Sequence, residues 1–388
     1  MPYVVPTVSF STVYDGTFTT ITGIQSVQVN RGRKYFQDNF SASSCTIEII
    51  PQDAGGVAAP MPIVGQWLEV RVPGGVGAAY FNGRVTDVNR TYGYPYNGTS
   101  KAAPADRVTI TATGPTGMLG TSDGVETTLV GDWPVTAATS QIGTINNVPC
   151  AQFGASNPTL IKNGLYSNYK AFDLINQLLR TGQSFIDDYD GKRTSSPRML
   201  LITQPSGGIV PTFTDNGTTG TNIYKFRQIE FGSSVQNAFT QVAVAATGLA
   251  TQYAQTGSAP YATLNYQTLN ATTTTAASLA TYLLNLNGQT SPTPLTLSAD
   301  TFSAPDVMKV AQLFSYTIDD NFRGCPLGTQ VTVNFRGATS YGQIQGITAS
   351  FYPDHGSVSL SLSTSFGTPF TLNSTAFGVL GTNRLGFP

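Results

Sequence analysis

The feature that most constrains this chain is a recurring period of two. Val27 and Val29 alternate with polar neighbours, as do Cys45, Ile47 and Ile49, then Leu68, Val70 and Val72, then Val108, Ile110 and Ala112. Alternation puts every second side chain on one face of a pleated strand, so each run reads as a half-buried strand with a wall against a core. Residues 81–88 add another, and turn signals such as Pro73-Gly74-Gly75 and Gly114-Pro115 separate the runs. Five or so short strands spaced by turns predict a small barrel or sandwich. Residues 24–51 form its first wall: two strands joined by the basic turn Arg31-Gly32-Arg33-Lys34 and by Tyr35, Phe36 and Phe40.

The same period returns far downstream. Val331, Val333 and Phe335 alternate, residues 344–349 follow, and Pro353-Asp354-His355-Gly356 turns into Val358, Leu360 and Leu362. The two ends can be overlaid. In one, residues 68–72 lead to Gly83-Arg84-Val85-Thr86-Asp87-Val88 and then 108–112; in the other, 331–335 lead to Gly342-Gln343-Ile344-Gln345-Gly346-Ile347 and then 358–362. One chain would then carry two similar modules. Three such chains would present six around an axis, a way to fit a three-fold object onto a six-fold one.

Between the ends the period changes. Residues 121–162 have few periodic apolar positions and read as a linker or extended loop. Phe172, Ile175, Leu178 and Leu179 recur at helical spacing, with Ser167 or Asn168 as cap and Gly182 just past the end. Asp190-Gly191, between residues 185–189 and 199–202, signals a hairpin. A second helix is expected over 275–286, with Leu279, Leu283 and Leu286 on one face and caps offered by Thr272 to Thr275. The expected fold is mainly β with a smaller α/β middle region: two similar small β-barrel modules with two helices between them. The expected boundaries are 1–122, 123–165, 166–300 and 301–388.

Composition narrows the function. Charged residues are 11% of the chain, against about 25% in an average soluble domain. The net charge of −1 supplies no field that would favour nucleic acid or an anionic membrane. Polarity comes instead from Thr, Ser, Asn, Gln and 40 Gly. Such groups are cheaper to desolvate than Lys or Glu, which suits a protein held inside an assembly; they equally suit any chain built of strands and turns. Cys45, Cys150 and Cys325 are odd in number and widely separated, so neither a disulfide framework nor a metal-ligand spacing is expected. No apolar run is long enough to span a bilayer. The first residues lack the pattern of a secretory signal, so synthesis in a reducing cytoplasm is expected.

Candidate chemistry is sparse. His355 is the single histidine and reads as a solvated turn residue. Asp187, Asp188, Asp190 and Gly191 have the beginning of a calcium loop without its closing Glu. Neighbouring acids in a turn also lack the opposed placement of a glycosidase pair. Arg31-Gly32-Arg33-Lys34 is the only dense basic patch, suited to a passing phosphate, to solvent or to an inter-subunit ion pair. The 18 Tyr and 21 Phe would serve packing first and a glycan-binding surface second. No catalytic residue, metal ligand or cofactor is assigned, and the protein is expected not to be an enzyme.

Two stretches carry a family resemblance. Val27-Gln28-Val29-Asn30-Arg31-Gly32-Arg33, the connection with Phe40-Ser41-Ala42, and Cys45-Thr46-Ile47-Glu48-Ile49 resemble the start of siphophage minor tail proteins of the baseplate-hub type. The end, from Phe370-Thr371-Leu372-Asn373 to Arg384-Leu385-Gly386-Phe387, resembles their C-terminal tail, with Leu380-Gly381 where the family has Leu-Asp. The Phe81-x-Gly83-x-Val85 strand and the helix from Ala276 fall in the family's order. The resemblance implies a structural virion protein at the phage tail tip, a homotrimer whose paired barrels make a pseudo-six-fold ring below the tube. Its implied partners are distal tail or tube proteins, the tape-measure protein, further tip or fibre proteins and, transiently, genomic DNA. The expected assembly-interface residues are Arg31, Gly32, Arg33, Phe36, Phe40, Arg384, Leu385 and Phe387. Alternatives are a hexameric distal tail adaptor with one barrel, a receptor- or glycan-binding adhesin and, last, a glycan hydrolase using residues 187–190.

Overall fold

The computed structural model describes residues 3–51, 60–73, 79–93, 106–120, 128–129, 133–153, 157, 159–162, 164–165, 170–189, 197–202, 210–216, 220–232, 239–257, 259, 261–287, 293–302, 307–314 and 327–364. The first strands are β1 (Thr7–Ser11), β2 (Thr19–Thr20), β3 (Ile24–Gly32), β4 (Ser41–Ile49), β5 (Trp67–Arg71), β6 (Phe81–Thr91) and β7 (Arg107–Thr113). Helix α1 (Pro115–Gly120), β8 (Thr128–Leu129), β9 (Trp133–Pro134), α2 (Val135–Ile145), β10 (Cys150–Phe153), β11 (Leu160–Ile161), β12 (Gly164–Leu165), α3 (Ala171–Gly182), β13 (Phe185–Tyr189) and β14 (Arg198–Ile202) follow. Then come β15 (Thr212–Thr214), β16 (Ile223–Lys225), β17 (Gln228–Gly232), β18 (Gln241–Ala246), β19 (Gln252–Gln255), β20 (Thr263–Thr268) and α4 (Thr273–Asn287). The last are β21 (Thr293–Asp300), α5 (Val307–Leu313), β22 (Gln330–Phe335), β23 (Ala338–Phe351) and β24 (Gly356–Thr364).

The early strands pair in the order β3-β4-β7-β6-β5-β1-β2, each antiparallel to its neighbour. Their apolar positions all face inward, Val27, Val29, Ile47, Ile49, Leu68, Val70 and Ile110 being at most 1% exposed, although β5 buries Glu69 between its two as well. Each such apolar side chain contributes about 1.5–3 kcal/mol of transfer free energy. A second set runs β17-β21-β24-β23-β22, again antiparallel, and β15 and β16 extend it in parallel.

The two sets share one register. Leu68 pairs with Gly83 as Val331 does with Gly342; Val85 pairs with Ala112 as Ile344 does with Leu362. Ile47 pairs with Ile110 as Leu297 does with Leu360; Val27 pairs with Ile47 as Ile229 does with Leu297. Even the irregularity is repeated. One residue is bulged from the middle of β6, Thr86, and one from the same place in β23, Gln345. The duplication thus reaches further back than the sequence suggests, and the second set takes β17 and β21 from upstream of residue 301. Neither set closes by hydrogen bonds into a barrel among the described residues. In the second, side chains bring the ends together, with the Phe335 and Phe231 rings 5.5 Å apart.

A single joint fuses the sets. β3 pairs antiparallel with the second half of β23, from Gly32 opposite Gly346 to Val27 opposite Phe351, so all these strands belong to one 14-stranded sheet. β22 occupies the same edge of β23 before the bulge, and β3 takes it over afterwards. The chains come very close there. A Cβ on Gly32, whose φ is +83°, would lie 2.4 Å from the Gln345 carbonyl oxygen, and one on Gly346 would lie 2.4 Å from that of Arg33.

The middle region sits against this sheet. β10, β14 and β13 form a small sheet, and its Met199–Ile202 run joins α2, α3 and both strand sets in one continuous core from Val8 to Leu362. β13 and β14 pair antiparallel, the arrangement Asp190-Gly191 signals, although that turn itself lies outside the described residues. Residues 121–162 are not the extended loop that the sequence suggests, for they hold α2 and short strands. The helix is hidden because its inward face is Val135, Ala138, Thr139, Ile142 and Gly143, where a threonine and a glycine occupy apolar positions. Thr139 turns its hydroxyl back to the Val135 carbonyl at 2.9 Å.

Helix α3 matches its apolar spacing but not its expected ends. Lys170 precedes it without a side-chain cap, and the left-handed residue is Gln183, not Gly182. A Cβ on Gly182 would meet Asn157 at 2.8 Å, so packing holds the glycine there. Helix α4 begins as the threonine run suggests, the Thr272 hydroxyl accepting from the Thr275 N–H at 3.2 Å. It packs with β18 and β20 in a second core of Val242, Val244, Tyr266, Leu279 and Leu283.

Gly346→Ala is expected to lower stability by about 1–3 kcal/mol, read from the urea midpoint. Gly120→Ala, whose added Cβ would have no atom within 4 Å, is expected to be neutral or mildly stabilising.

Candidate functional site: the Arg31–Asp187 junction

Alternation along β3 puts Arg31 on the same face as Val27 and Val29, so a guanidinium enters a core position and is only 4% exposed. The fold supplies its partner from β13. Arg31 Nε donates to Asp187 Oδ1 at 3.1 Å and an Nη donates to Oδ2 at 2.5 Å. The other Nη donates to the Phe314 carbonyl at 2.8 Å, just past α5. The planar fork of arginine suits this bidentate pairing.

The next residue points the opposite way. Asp188 accepts from the Ser43 N–H of β4 at 3.0 Å and from the Thr116 N–H in the first turn of α1 at 2.6 Å. Burial pushes its carboxyl above the ordinary value, and these donors pull against that shift. Adjacent aspartates of one strand therefore tie β3, β4, α1 and the end of α5 together. Their geometry is that of two braces. It differs both from the opposed carboxylates of a glycosidase and from a cation loop.

Arg33 makes the second layer. Its guanidinium lies 4.3 Å from the Phe40 ring centroid and 5.3 Å from that of Phe185. It also donates to Gln345 Oε1 at 2.8 Å and to the Asp38 carbonyl at 3.2 Å. Burial lowers its pKa to about 10. Asn176 of α3 holds Phe40 as a strand would, accepting from its N–H at 2.8 Å and donating to its carbonyl at 3.3 Å. Phe36 enters the second core beside Val244 and Leu283. Above the turn lies an open groove of about 480 Å³, lined by Asn30, Gly32, Arg33, Lys34, Ser44 and Thr348.

The expectation that the basic turn faces a neighbouring subunit or a channel needs correcting at Arg31, because the strand's own period carries it inward to Asp187. Phe36 and Phe40 are likewise buried in their own chain. Gly32 and Arg33 are half-buried and Lys34 is exposed. Arg384, Leu385 and Phe387 lie outside the described residues, as do Cys325 and Asp190. Cys45 and Cys150 are free thiols, and burial raises Cys150 to about 12. His355 stands in its turn, with Nδ1 2.6 Å from Asp354 Oδ1 and its ring stacked 4.5 Å from that of Tyr352. No cluster of three His, Cys, Asp or Glu able to hold a metal occurs among the described residues, and no described helix is long and apolar enough to cross a membrane. Sequence reasoning missed Asp187 as a partner and Asn176 altogether. The signal was there for the first: Asp187 stands two residues from Phe185, at a core register.

No family model matches the chain, and no curated protein matches its sequence. Its fold, however, is shared with solved tail proteins. The 43 kDa tail protein of prophage MuSo2 from Shewanella oneidensis aligns over 92% of this chain and 97% of its own, at 11% identity and a TM-score of 0.57. The tail protein from Neisseria meningitidis MC58 aligns over 94% and 97%, at 11% identity and 0.58. A type VI secretion component of E. coli, described as similar in structure to the T4 tail proteins gp27 and gp5, aligns over 89% and 74%, at 9% identity and 0.52. The chain thus has the fold of phage tail proteins.

Asp187→Asn strands a buried guanidinium, so a loss of about 3–5 kcal/mol is expected in urea denaturation. Arg31→Met combined with Asp187→Leu is expected to recover most of it. Asp188 gives the pH dependence a sign. Its folded pKa is raised, so the unfolded chain ionises first as pH climbs. Its contribution is full below about pH 4 and is lost as pH rises through the folded value. Asp188→Asn is expected to remove that decline from the midpoint-against-pH curve.

Proposed function

We propose that this protein is a structural component of a phage tail tip, of the baseplate-hub type. Three copies form a ring that closes or continues the tail tube, anchors tip proteins and lets DNA pass. The observation that carries the reading is the duplicated strand set, in one register down to its bulge. Two equivalent modules in each chain let three chains meet a six-fold tube. The fold shared with tail proteins along almost the whole chain supports the same reading. A hexameric distal adaptor would need only one module, so the duplication favours the hub.

The partners that follow are tube or distal tail proteins above, the tape-measure protein within and fibre or tip proteins below, in a virion assembled in the host cytoplasm. The groove beside Lys34 and Arg33 is the basic surface left for such contacts or for passing DNA; Arg31, Phe36 and Phe40 serve it from beneath, by fixing the turn. The tail with Arg384, Leu385 and Phe387 is a further contact. A non-enzymatic role agrees with Asp187 and Asp188 both being engaged in bracing. Native mass spectrometry of the purified chain is expected to give a trimer; a hexamer would turn the assignment to the distal adaptor.

A further inference from the structure

Aligned by register, the two strand sets differ in which edges are occupied. In the joint, Val27 and Gln28 of β3 pair with Phe351 and Ser350 of β23. Carried through the repeat, β3 corresponds to β17 and the second half of β23 to the second half of β6. The β17 counterparts of Val27 and Gln28 are Ile229 and Glu230; the counterparts of Phe351 and Ser350 are Tyr92 and Thr91. Both of these edges are open among the described residues. β17 pairs only with β21, and beyond its bulge β6 pairs only with β7. Exposure follows occupancy. Gly346, Ile347, Ala349 and Phe351 are buried, whereas of their counterparts Val88 is half-buried, Asp87 and Arg90 are exposed and Tyr92 is 76% exposed.

We propose that the β17 edge of one copy pairs antiparallel with residues 87–92 in the next copy, the second half of β6 and the residue that follows it, repeating the internal joint. This rests on the hub reading above and specifies its subunit contact. Ile229 would face Tyr92 and Glu230 would face Thr91. The chemistry is kept: Val27 with Phe351 and Ile229 with Tyr92 are each a β-branched residue opposite an aromatic ring, a favourable cross-strand pair. Gln28 with Ser350 and Glu230 with Thr91 each set a longer polar side chain against a hydroxyl. Such edges are templates for another strand, and the partner that fits both is a second copy of this chain. The contact is head-to-tail, so it propagates until the ring closes.

Residues directly opposite on antiparallel strands have Cα atoms about 4.5–5.5 Å apart, within disulfide reach. Thr91→Cys combined with Glu230→Cys, oxidised and run without reductant, is expected to give a covalent ladder ending in a closed trimer and collapsing on reduction. Each single variant and the shifted pair Asp87→Cys with Glu230→Cys are expected to remain uncrosslinked. If the shifted pair links as efficiently, the register is overturned. If the matched pair stays reduced while native mass spectrometry shows a trimer, the strand pairing is overturned and the hub reading stands. A chain that stays monomeric at every concentration overturns both.

Discussion

A guanidinium held in a core position organises much of this structure. Arg31 would be a severe liability alone, since an unpaired charge in that setting costs several kcal/mol. It is tolerable only because Asp187 meets it fork to fork and the Phe314 carbonyl accepts a further N–H. That requirement fixes three distant pieces at once: β3, β13 and the end of α5 cannot shift independently without stranding a charge. A purely apolar contact would forgive a small slip; this one does not. The joint between β3 and β23 begins one residue away, at Gly32, and its register inherits this precision.

Around that anchor the basic turn is used on both faces of the chain. Arg31 reaches inward to the carboxylate, Arg33 lies on Phe40 and Phe185 and reaches across to the bulged Gln345, and Lys34 stays in solvent. A glycine between the two arginines, at positive φ, lets the strand end within contact of the opposing backbone. The motif is therefore a structural hinge-pin whose outer surface lines a groove.

The strands were legible because their alternation is a direct record of one-sided burial: residues 27–29, 45–49, 108–112, 331–333 and 358–362 lie where their period puts them, while β5 departs from it by burying Glu69 as well. The helices were legible only where leucine and isoleucine carry the pattern, as in α3. In α2, threonine and glycine fill buried positions, and in α1 and α5 the runs are too short for a period to emerge. The site was half legible. A charge at a core register in β3 and another in β13 are visible in the sequence, but which opposite charge each finds is decided by tertiary contacts some 150 residues away in the chain, beyond the reach of local pattern. The edges of β6 and β17 that stay open among the described residues have no sequence signature; they emerge only from comparing two registers.

The internal joint has a consequence for how such a ring comes together. In the proposed ring of three chains and six modules, half of the module contacts would be made as each chain folds, at the high effective concentration of tethered partners. Only three encounters between separate molecules would remain, and these alone would respond to protein concentration. Two kinds of seam would alternate around one ring, built on the same ladder but differing in whether the chain runs across them. Under strain, the seams without a covalent crossing would be the ones to part first.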